Sequence, residues 1–142
     1  MNSFILASLV LPYFSFSAEL TTSKFKFGAF GEIIVYTKSA EAQSLILFAS
    51  GDGGWNQGVV DMAKSITDEK TAVAGFSTVT YLKNSDGGKK CLYPAGDLEL
   101  LSKYLQKKLN FKSYDHPVIV GYSSGATLVY SSLAQAPEGT FQ

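Results

Sequence analysis

The sequence predicts an α/β fold, a three-layer sandwich with a mostly parallel sheet of about five strands that begins with an antiparallel pair of N-terminal strands. Short apolar runs alternate with amphipathic helical patterns, as expected of parallel strands joined by right-handed crossovers. Two of these runs end in glycine-rich turns, Gly51–Gly54 and Gly121–Gly125. With 142 residues, 46% hydrophobic and 17% charged, the chain has room for one globular domain.

The first residues form an apolar leader. The run from Phe4 to Phe16 contains no charged residue. Its length suits the core of a signal peptide, whereas it is short and proline-interrupted for a membrane span. Small side chains favour cleavage after Ser17, so residues 1–17 are predicted to be a signal peptide. An N-terminal core strand or helix is the alternative. Export would place the mature chain in a periplasm or outside the cell.

The segments after the leader begin with strands. Lys24–Phe30 alternates polar and apolar residues and Ile33–Thr37 is rich in β-branched residues, which predicts an antiparallel pair joined near Gly31. Ser44–Ser50 is a continuous apolar run that ends at a glycine cluster, which predicts a strand buried on both faces. Thr71–Leu82 is also β-rich and is predicted to be the next buried strand.

Three segments show the helical period. The first has Asn56 as its predicted N-cap, and the second is predicted to be capped by Asp97. The third follows Gly121–Gly125, runs to about Ala134 and is stopped by Pro137. The predicted apolar face of the first helix comprises Val59, Met62, Ala63 and Ile66; that of the second comprises Leu98, Leu101, Leu105 and Leu109, with Lys103, Lys107 and Lys108 largely outward.

The segment Pro117–Leu128, PVIVGYSSGATL, carries the clearest functional signal. It places a G-x-S-x-G pattern between an apolar strand and a helix start, the setting of a nucleophile elbow. In such an elbow Ser123 sits on a tight turn that lifts its hydroxyl above the sheet, and flanking glycines let strand and helix approach. Ser123 is the predicted nucleophile, and the N–H of Ser124 is a predicted oxyanion donor. A glycine and serine turn without chemistry is the alternative.

The earlier glycine turn is predicted to complete the oxyanion hole. Gly51–Trp55 directly follows an apolar strand and precedes a helix, so an N–H of Gly53 or Gly54 would face the same oxygen. Both glycine turns belong to the carboxyl ends of strands, where ligands bind in such sheets. Asp52 is predicted to support this loop. In the alternative, the loop is only a glycine turn that an Asp52 side-chain hydrogen bond stabilises.

A serine nucleophile also needs a base and an orienting acid. Glu138 is the only acidic residue after Ser123, and no histidine follows it. His116 precedes the elbow strand, and about five residues of strand at about 3.3 Å each put it at the opposite edge of the sheet. The chain alone is therefore predicted not to run an efficient catalytic triad.

Composition argues against several function classes. A formal net charge of zero gives no reason to expect a nucleic-acid partner. A single histidine and a single cysteine, Cys91, resemble no metal site, and no cofactor is predicted. Cys91 is expected to be a free thiol, a cysteine that lacks its partner or a buried structural thiol. Lys83, Lys89 and Lys90 surround the turn at Ser85. This segment is either a solvated loop or a functional basic patch.

Three segments of the sequence carry a family resemblance. They are SLILFASGDGGWNQGVVDMAKSI (Ser44–Ile66), KCLYPAGDLELLSKYLQKKL (Lys90–Leu109) and VIVGYSSGATLVY (Val118–Tyr130). Together they resemble the VirJ/AcvB family of bacterial periplasmic virulence proteins, in particular the N-terminal VirJ-like domain of the AcvB type. This resemblance implies an α/β-hydrolase fold, export and hydrolysis of aminoacylated phosphatidylglycerol such as lysyl-phosphatidylglycerol, with links to virulence and type IV secretion. It matches Ser123 to the family's nucleophile and Asp52, Gly53 and Gly54 to its oxyanion-side loop.

The resemblance also implies that residues 18–142 are the N-terminal half of a VirJ-like domain. The family's acid, histidine and a downstream cysteine have no counterpart here. If the strand order is that of an α/β-hydrolase, the elbow strand has an unpaired outer edge, so this chain alone is predicted to be marginally stable or to associate. The expected partners are the missing C-terminal half or a second domain, a phospholipid substrate, and a secretion or envelope component. Two functions stay open, a serine esterase-like hydrolase and a non-catalytic domain that binds a lipid or such a partner.

Overall fold

A five-stranded mixed sheet with helices on both faces organises the chain. The structure is a computed structural model that describes residues 18–85 and 91–142. The α/β class that the sequence predicts is confirmed. The predicted signal peptide and most of the lysine-flanked turn, residues 86–90, lie outside the described residues.

The strand order is β1-β2-β4-β3-β5. β1 pairs antiparallel with β2, as predicted, and β2 also pairs antiparallel with β4. β3 lies parallel to both β4 and β5. The strands are β1 (Thr21–Phe27), β2 (Gly31–Thr37), β3 (Ser44–Ala49), β4 (Thr71–Phe76) and β5 (Val118–Gly121); the helices are α1 (Gln57–Ser65), α2 (Thr78–Asn84), α3 (Pro94–Lys108) and α4 (Ser124–Gln135).

Alternating side chains of the central strands build two cores. On one face, Leu47 of β3 and Ala74 of β4 pack with the helices α2, α3 and α4. On the other face, Phe48 of β3 and Val73 of β4 pack with α1. Because both faces are covered, β3 is buried along most of its length, as its continuous apolar sequence predicts. The helical residues in the larger core are Tyr81, Leu98, Leu101, Leu105 and Leu128.

The prediction of one strand over Thr71–Leu82 is wrong in its second half. The strand ends at Phe76, and Ser77 then caps α2, its side-chain oxygen accepting a hydrogen bond from the N–H of Thr80 at 3.2 Å. β-branched residues favour a strand only weakly, and here a serine N-cap and packing of Tyr81 into the core outweigh them. The strand predicted over Lys24–Phe30 begins and ends three residues earlier, at Thr21 and Phe27, because Gly28–Phe30 forms a 3-10 turn.

The prediction that Asp97 caps the second long helix is also wrong. α3 already begins at Pro94, whose fixed φ and missing N–H suit the first helical position. Asp97 lies in the first turn of the helix, where its carboxylate accepts a hydrogen bond from the hydroxyl of Tyr81 at 2.7 Å. The carboxylate therefore joins α3 to α2.

The apolar face predicted for α1 is only half buried. Val59 and Ala63 are buried against the sheet, whereas Met62 is 43% and Ile66 40% exposed. Ile66 follows the last residue of α1, and the partly buried Val60 packs against the core on this face instead. Asn56 does occupy the N-cap position, but its side chain makes no capping hydrogen bond.

β5 lies at the end of the sheet. In the part of the chain that the structure describes, it pairs with β3 alone, so its outer edge is unpaired, as predicted. An unpaired strand presents N–H and C=O groups that can pair with another chain. Association or marginal stability of this chain stays a prediction.

The buried contact between Tyr81 and Asp97 predicts a loss of stability at alkaline pH. The pKa of Tyr81 lies far above its ordinary value. Burial is the main cause, and the hydrogen bond to Asp97 raises this pKa further. Above about pH 10 the unfolded chain therefore binds fewer protons than the folded chain, and the free energy of unfolding falls as pH rises. Urea denaturation at about pH 9 and about pH 11 should show this fall, and Tyr81→Phe should reduce it. Tyr130→Phe, which changes an exposed tyrosine, is the control. An equal fall in Tyr81→Phe would contradict the assignment.

Candidate active site

The turn between β5 and α4 holds Ser123 in a strained backbone conformation. Ser123 has φ 56° and ψ −123°, in the positive-φ region that residues with a Cβ rarely adopt. The N–H of Tyr122 donates to the carbonyl of Ala49 at 3.0 Å, and the N–H of Gly125 donates to the carbonyl of Tyr122 at 3.0 Å. These bonds fix the turn on both sides, and Ser123 is exposed above it. Such strain is typical of functional sites, where the surrounding structure enforces it.

Two glycines let β3, β5 and α4 meet beneath Ser123. A Cβ on Gly121 would meet the backbone of Gly125, and a Cβ on Gly125 would meet the carbonyl oxygens of Ala49 and Ser50. Backbone atoms in a sheet and a helix cannot rotate aside as a side chain can. The G-x-S-x-G spacing is therefore required by close packing of strand and helix.

The Gly51–Gly54 loop lies against the Ser123 turn. A Cβ on Gly51 would stand 3.0 Å from the Cβ of Ser123 and 3.2 Å from the carbonyl oxygen of Tyr122. The two glycine turns meet because the parallel strands β3 and β5 are neighbours and end at one edge of the sheet. They border a cleft of about 300 Å³, lined by Gly51, Asp52, Gly53, Gly54, Asn56, Gly58, Val59, Met62, Tyr122 and Ser123.

The three backbone N–H groups predicted for the oxyanion hole differ in their availability. The N–H of Gly54 donates to the carbonyl of Gly51 at 3.0 Å and closes the turn. Within residues 18–85 and 91–142, the N–H groups of Gly53 and Ser124 have no hydrogen-bond partner. Gly53 and Ser124 are therefore the amides that could receive a negative oxygen, while Gly54 shapes the loop.

The polar side chains of the loop have different roles. Asn56 donates from Nδ2 to the carbonyl of Gly53 at 3.2 Å, so it braces the loop. Asp52 is exposed and makes no side-chain hydrogen bond with any described residue, so a turn stabilised by the Asp52 carboxylate is not what the structure contains. Among the described residues that line the cleft, this carboxylate is the one charged group.

Trp55, the C-terminal residue of the Gly51–Trp55 loop, packs against the sheet. Its indole covers Gly75 of β4, where a Cβ would have no room. The ring packs edge-on against Phe48 with centroids 5.7 Å apart, and Nε1–H donates to the hydroxyl of Tyr36 at 3.4 Å. Because the loop is held at Gly51 and at Trp55, its amides are positioned before a ligand binds, as oxyanion donors need to be.

The histidine and the late acid lie away from the cleft. His116 is exposed at the N-terminal side of β5, edge-to-face with Tyr114 at 5.4 Å between ring centroids, whereas Ser123 follows the C-terminal end of that strand. Glu138 follows the end of α4, which at about 1.5 Å per residue extends about 18 Å from Ser123. The described residues thus present a hydroxyl and two amides, with no histidine beside them.

Three features of the site were missed at the level of sequence. Met62 and Tyr122 line the cleft, and the Ser124 hydroxyl is buried with no hydrogen-bond partner in the described residues. A helical apolar pattern assigns Met62 to the core, so it gives no signal of exposure. The variable positions of G-x-S-x-G do not reveal which side chains point outward or inward.

The described residues offer little metal chemistry. No cluster of three or more histidine, cysteine, aspartate or glutamate side chains in residues 18–85 and 91–142 could hold a metal ion.

Cys91 is an exposed free thiol in this part of the chain, so the buried-thiol alternative is wrong. Over the same ranges, every helix is too short or too polar to cross a membrane.

Comparison with known proteins gives a family match over most of the chain. The family model described as "Bacterial virulence protein (VirJ)" matches residues 43–141, which include both glycine turns and every element from β3 to α4. No curated protein and no solved structure matches the chain.

Proposed function

Because this chain belongs to the VirJ family of bacterial virulence proteins, we propose that it is an exported protein of the serine-hydrolase type that acts on the aminoacyl ester of phosphatidylglycerol, such as lysyl-phosphatidylglycerol. The observation that carries the proposal is the strained, exposed Ser123 beside the N–H groups of Gly53 and Ser124. Export through residues 1–17 to the periplasm, and a complete domain that continues the α/β-hydrolase fold, are parts of the same proposal.

The proposed reaction is an acyl transfer. Ser123 Oγ forms a bond to the carbonyl carbon of the aminoacyl ester, and the carbonyl oxygen becomes a negative oxygen held by the amides of Gly53 and Ser124. The ester bond to the lipid glycerol then breaks, the glycerol oxygen takes a proton, and water later releases the amino acid from Ser123. A base has to take the proton of Ser123, and we propose that the complete domain or a partner supplies it.

The charge of the cleft supports a cationic substrate group. Within the described residues, Asp52 carries the one charged side chain of the cleft wall, and its carboxylate has no partner. Around it the wall is uncharged, with Met62 and Tyr122 partly exposed. An unpaired carboxylate beside the nucleophile favours an amine over an acidic group, as in a lysyl ester.

A boronic acid tests the proposed site without a protein base. Serine Oγ adds to the trivalent boron of phenylboronic acid, the serine proton leaves to the buffer, and a negatively charged tetrahedral boronate remains. One boron-bound oxygen then occupies the position of the oxyanion. We expect a tetrahedral boron signal in ¹¹B NMR that saturates with the protein and exceeds the signal that phenylboronic acid and hydroxide give at the same pH without protein. Absence of a saturable tetrahedral signal would refute the proposal.

Asp52→Asn is predicted to remove the preference of the site for cationic probes. The wild-type protein should bind 3-(aminomethyl)phenylboronic acid about three- to fivefold more tightly than the neutral 3-(hydroxymethyl) compound, since an exposed ion pair contributes little more than this. The preference should disappear in Asp52→Asn and weaken with added salt. Asp61→Asn, which removes an exposed carboxylate of α1 that does not line the cleft, is the control. A preference retained in Asp52→Asn would argue against the role of this carboxylate.

A non-catalytic binding function is the second candidate. The observation that favours it is the position of His116 and Glu138, which both lie away from Ser123. In this case the domain would bind a lipid or a secretion or envelope component through the same cleft. Vesicles that contain lysyl-phosphatidylglycerol distinguish the two functions. Release of lysine after exogenous imidazole is added as a base supports the hydrolase, whereas binding without release supports the second candidate.

A further inference from the structure

We infer that Ser50 and Thr78 are positioning residues, a buried clamp that holds the glycine loop opposite Ser123; the inference rests on the proposed function of that site. Neither residue lines the cleft. Both lie at the sheet edge that carries the site: Ser50 directly follows β3, and Thr78 is the first residue of α2, two residues after the end of β4. The clamp would act on the reaction only through the loop that it holds.

The clamp is a set of hydrogen bonds that link Ser50 and Thr78 to each other at two points. The hydroxyl of Thr78 donates to the carbonyl of Ser50 at 2.6 Å, and the N–H of Thr78 donates to Ser50 Oγ at 3.2 Å. Ser50 Oγ in turn donates to the carbonyl of Gly51 at 3.1 Å. The N–H of Ser50 donates to the carbonyl of Phe76 at 3.0 Å, which extends the pairing of β3 with β4 by one residue.

Burial makes these hydrogen bonds strongly constraining. Ser50 is 0% and Thr78 2% exposed, so water cannot replace a partner that is lost. A buried carbonyl or hydroxyl without a partner is costly, and the backbone would move to recover one. The clamp therefore determines the path of the backbone where the loop begins after β3.

The position of Ser50 connects the clamp to the site. A Cβ on Gly125 would meet the carbonyl oxygen of Ser50, and a Cβ on the next residue, Gly51, would meet the turn at Tyr122 and Ser123. A shift at Ser50 would move Gly51 and with it the N–H of Gly53. The distance between the two oxyanion donors thus depends on the hydroxyl of Thr78.

Thr78→Val tests the inference because valine keeps the shape of threonine and removes the hydroxyl. We expect its affinity for phenylboronic acid to fall about tenfold, since small displacements of positioned groups have effects of this size. Thr78→Ser retains the hydroxyl and should bind within about twofold of wild type. Thr67→Val is the matched control. Thr67 is also 2% exposed and donates to a backbone carbonyl, that of Ala63 at 2.8 Å, but it lies at the other end of α1.

Trp55 provides a second readout that does not depend on catalysis. It is the only tryptophan, and it ends the loop that the clamp holds. Acrylamide should quench its fluorescence more strongly in Thr78→Val than in wild type, Thr78→Ser or Thr67→Val.

The outcomes separate the inference from the proposed function. Tight boronate binding by Thr78→Val, or an equal loss in Thr67→Val, would overturn the clamp and leave the proposed function standing. A wild-type protein without the boronate adduct would overturn the proposed function, and the role of the clamp in it. Unchanged quenching of Trp55 in Thr78→Val would overturn the structural basis of the clamp by itself.

Discussion

Ser123→Ala is expected to abolish the tetrahedral boronate adduct completely, because the hydroxyl that is proposed to add to boron is then missing. The backbone turn and the amides of Gly53 and Ser124 stay in place. Any remaining affinity would come from weak apolar contact with Met62 and Tyr122. ¹¹B NMR measures this loss directly. An adduct that persists in Ser123→Ala would show that another group reacts and would exclude Ser123 as the nucleophile.

Two neighbouring variants serve as controls for this result. Ser124→Ala keeps the N–H and removes a buried hydroxyl that has no partner in the described residues, so it should bind boronate normally. Ser123→Gly should lose the adduct but stabilise the fold by about 1 kcal/mol, because it relieves positive-φ strain at a smaller cost in chain entropy. Urea denaturation measures the change. A destabilised Ser123→Gly would contradict the strain at this position.

Gly125→Ala is expected to destabilise the fold by about 3 kcal/mol or to prevent folding. The added Cβ would meet the carbonyl oxygens of Ala49 and Ser50, which the pairing of β3 and the clamp hold in place. α4 could make room only by moving away from the sheet and losing its contacts in the larger core. Urea denaturation and circular dichroism check this prediction.

Gly58→Ala is the matched control for Gly125→Ala. Gly58 lies in α1, and a Cβ there has open space around it. Alanine favours a helix over glycine, so this variant should be about 0.5 kcal/mol more stable than wild type. Equal destabilisation by the two substitutions would show that the close approach at Gly125 is not what limits packing.

The candidate site was readable in the sequence because its backbone geometry restricts residue type. At Gly121 and Gly125 no side chain fits, and this requirement leaves the same spacing in any sequence that forms such a turn. The glycine cluster at Gly51–Gly54 follows the same logic, since Gly51 packs against Ser123. Hydrophobic periodicity was sufficient for β3, whose two faces are both buried.

Where prediction failed, a local signal competed with a tertiary contact. The β-branched residues of Thr78–Asn84 suggest a strand, but Ser77 caps a helix there and Tyr81 packs against Phe30 with ring centroids 4.6 Å apart. Asp97 has the chemistry of an N-cap, yet Tyr81 uses its carboxylate. Phe30 and Asp97 are both far from Tyr81 in the sequence, so composition and spacing do not predict these contacts.

By itself, the sequence determined the α/β class, the strand that carries Ser123 and the need for glycine on both sides of it, because each of these depends on residues that are neighbours along the chain. The tertiary structure decided which amides stay available, Gly53 and Ser124 rather than Gly54, and brought Thr78 to Ser50. These features depend on how the ends of β3, β4 and β5 come together. Hydrogen bonds between residues far apart in sequence form only once the sheet has placed them side by side.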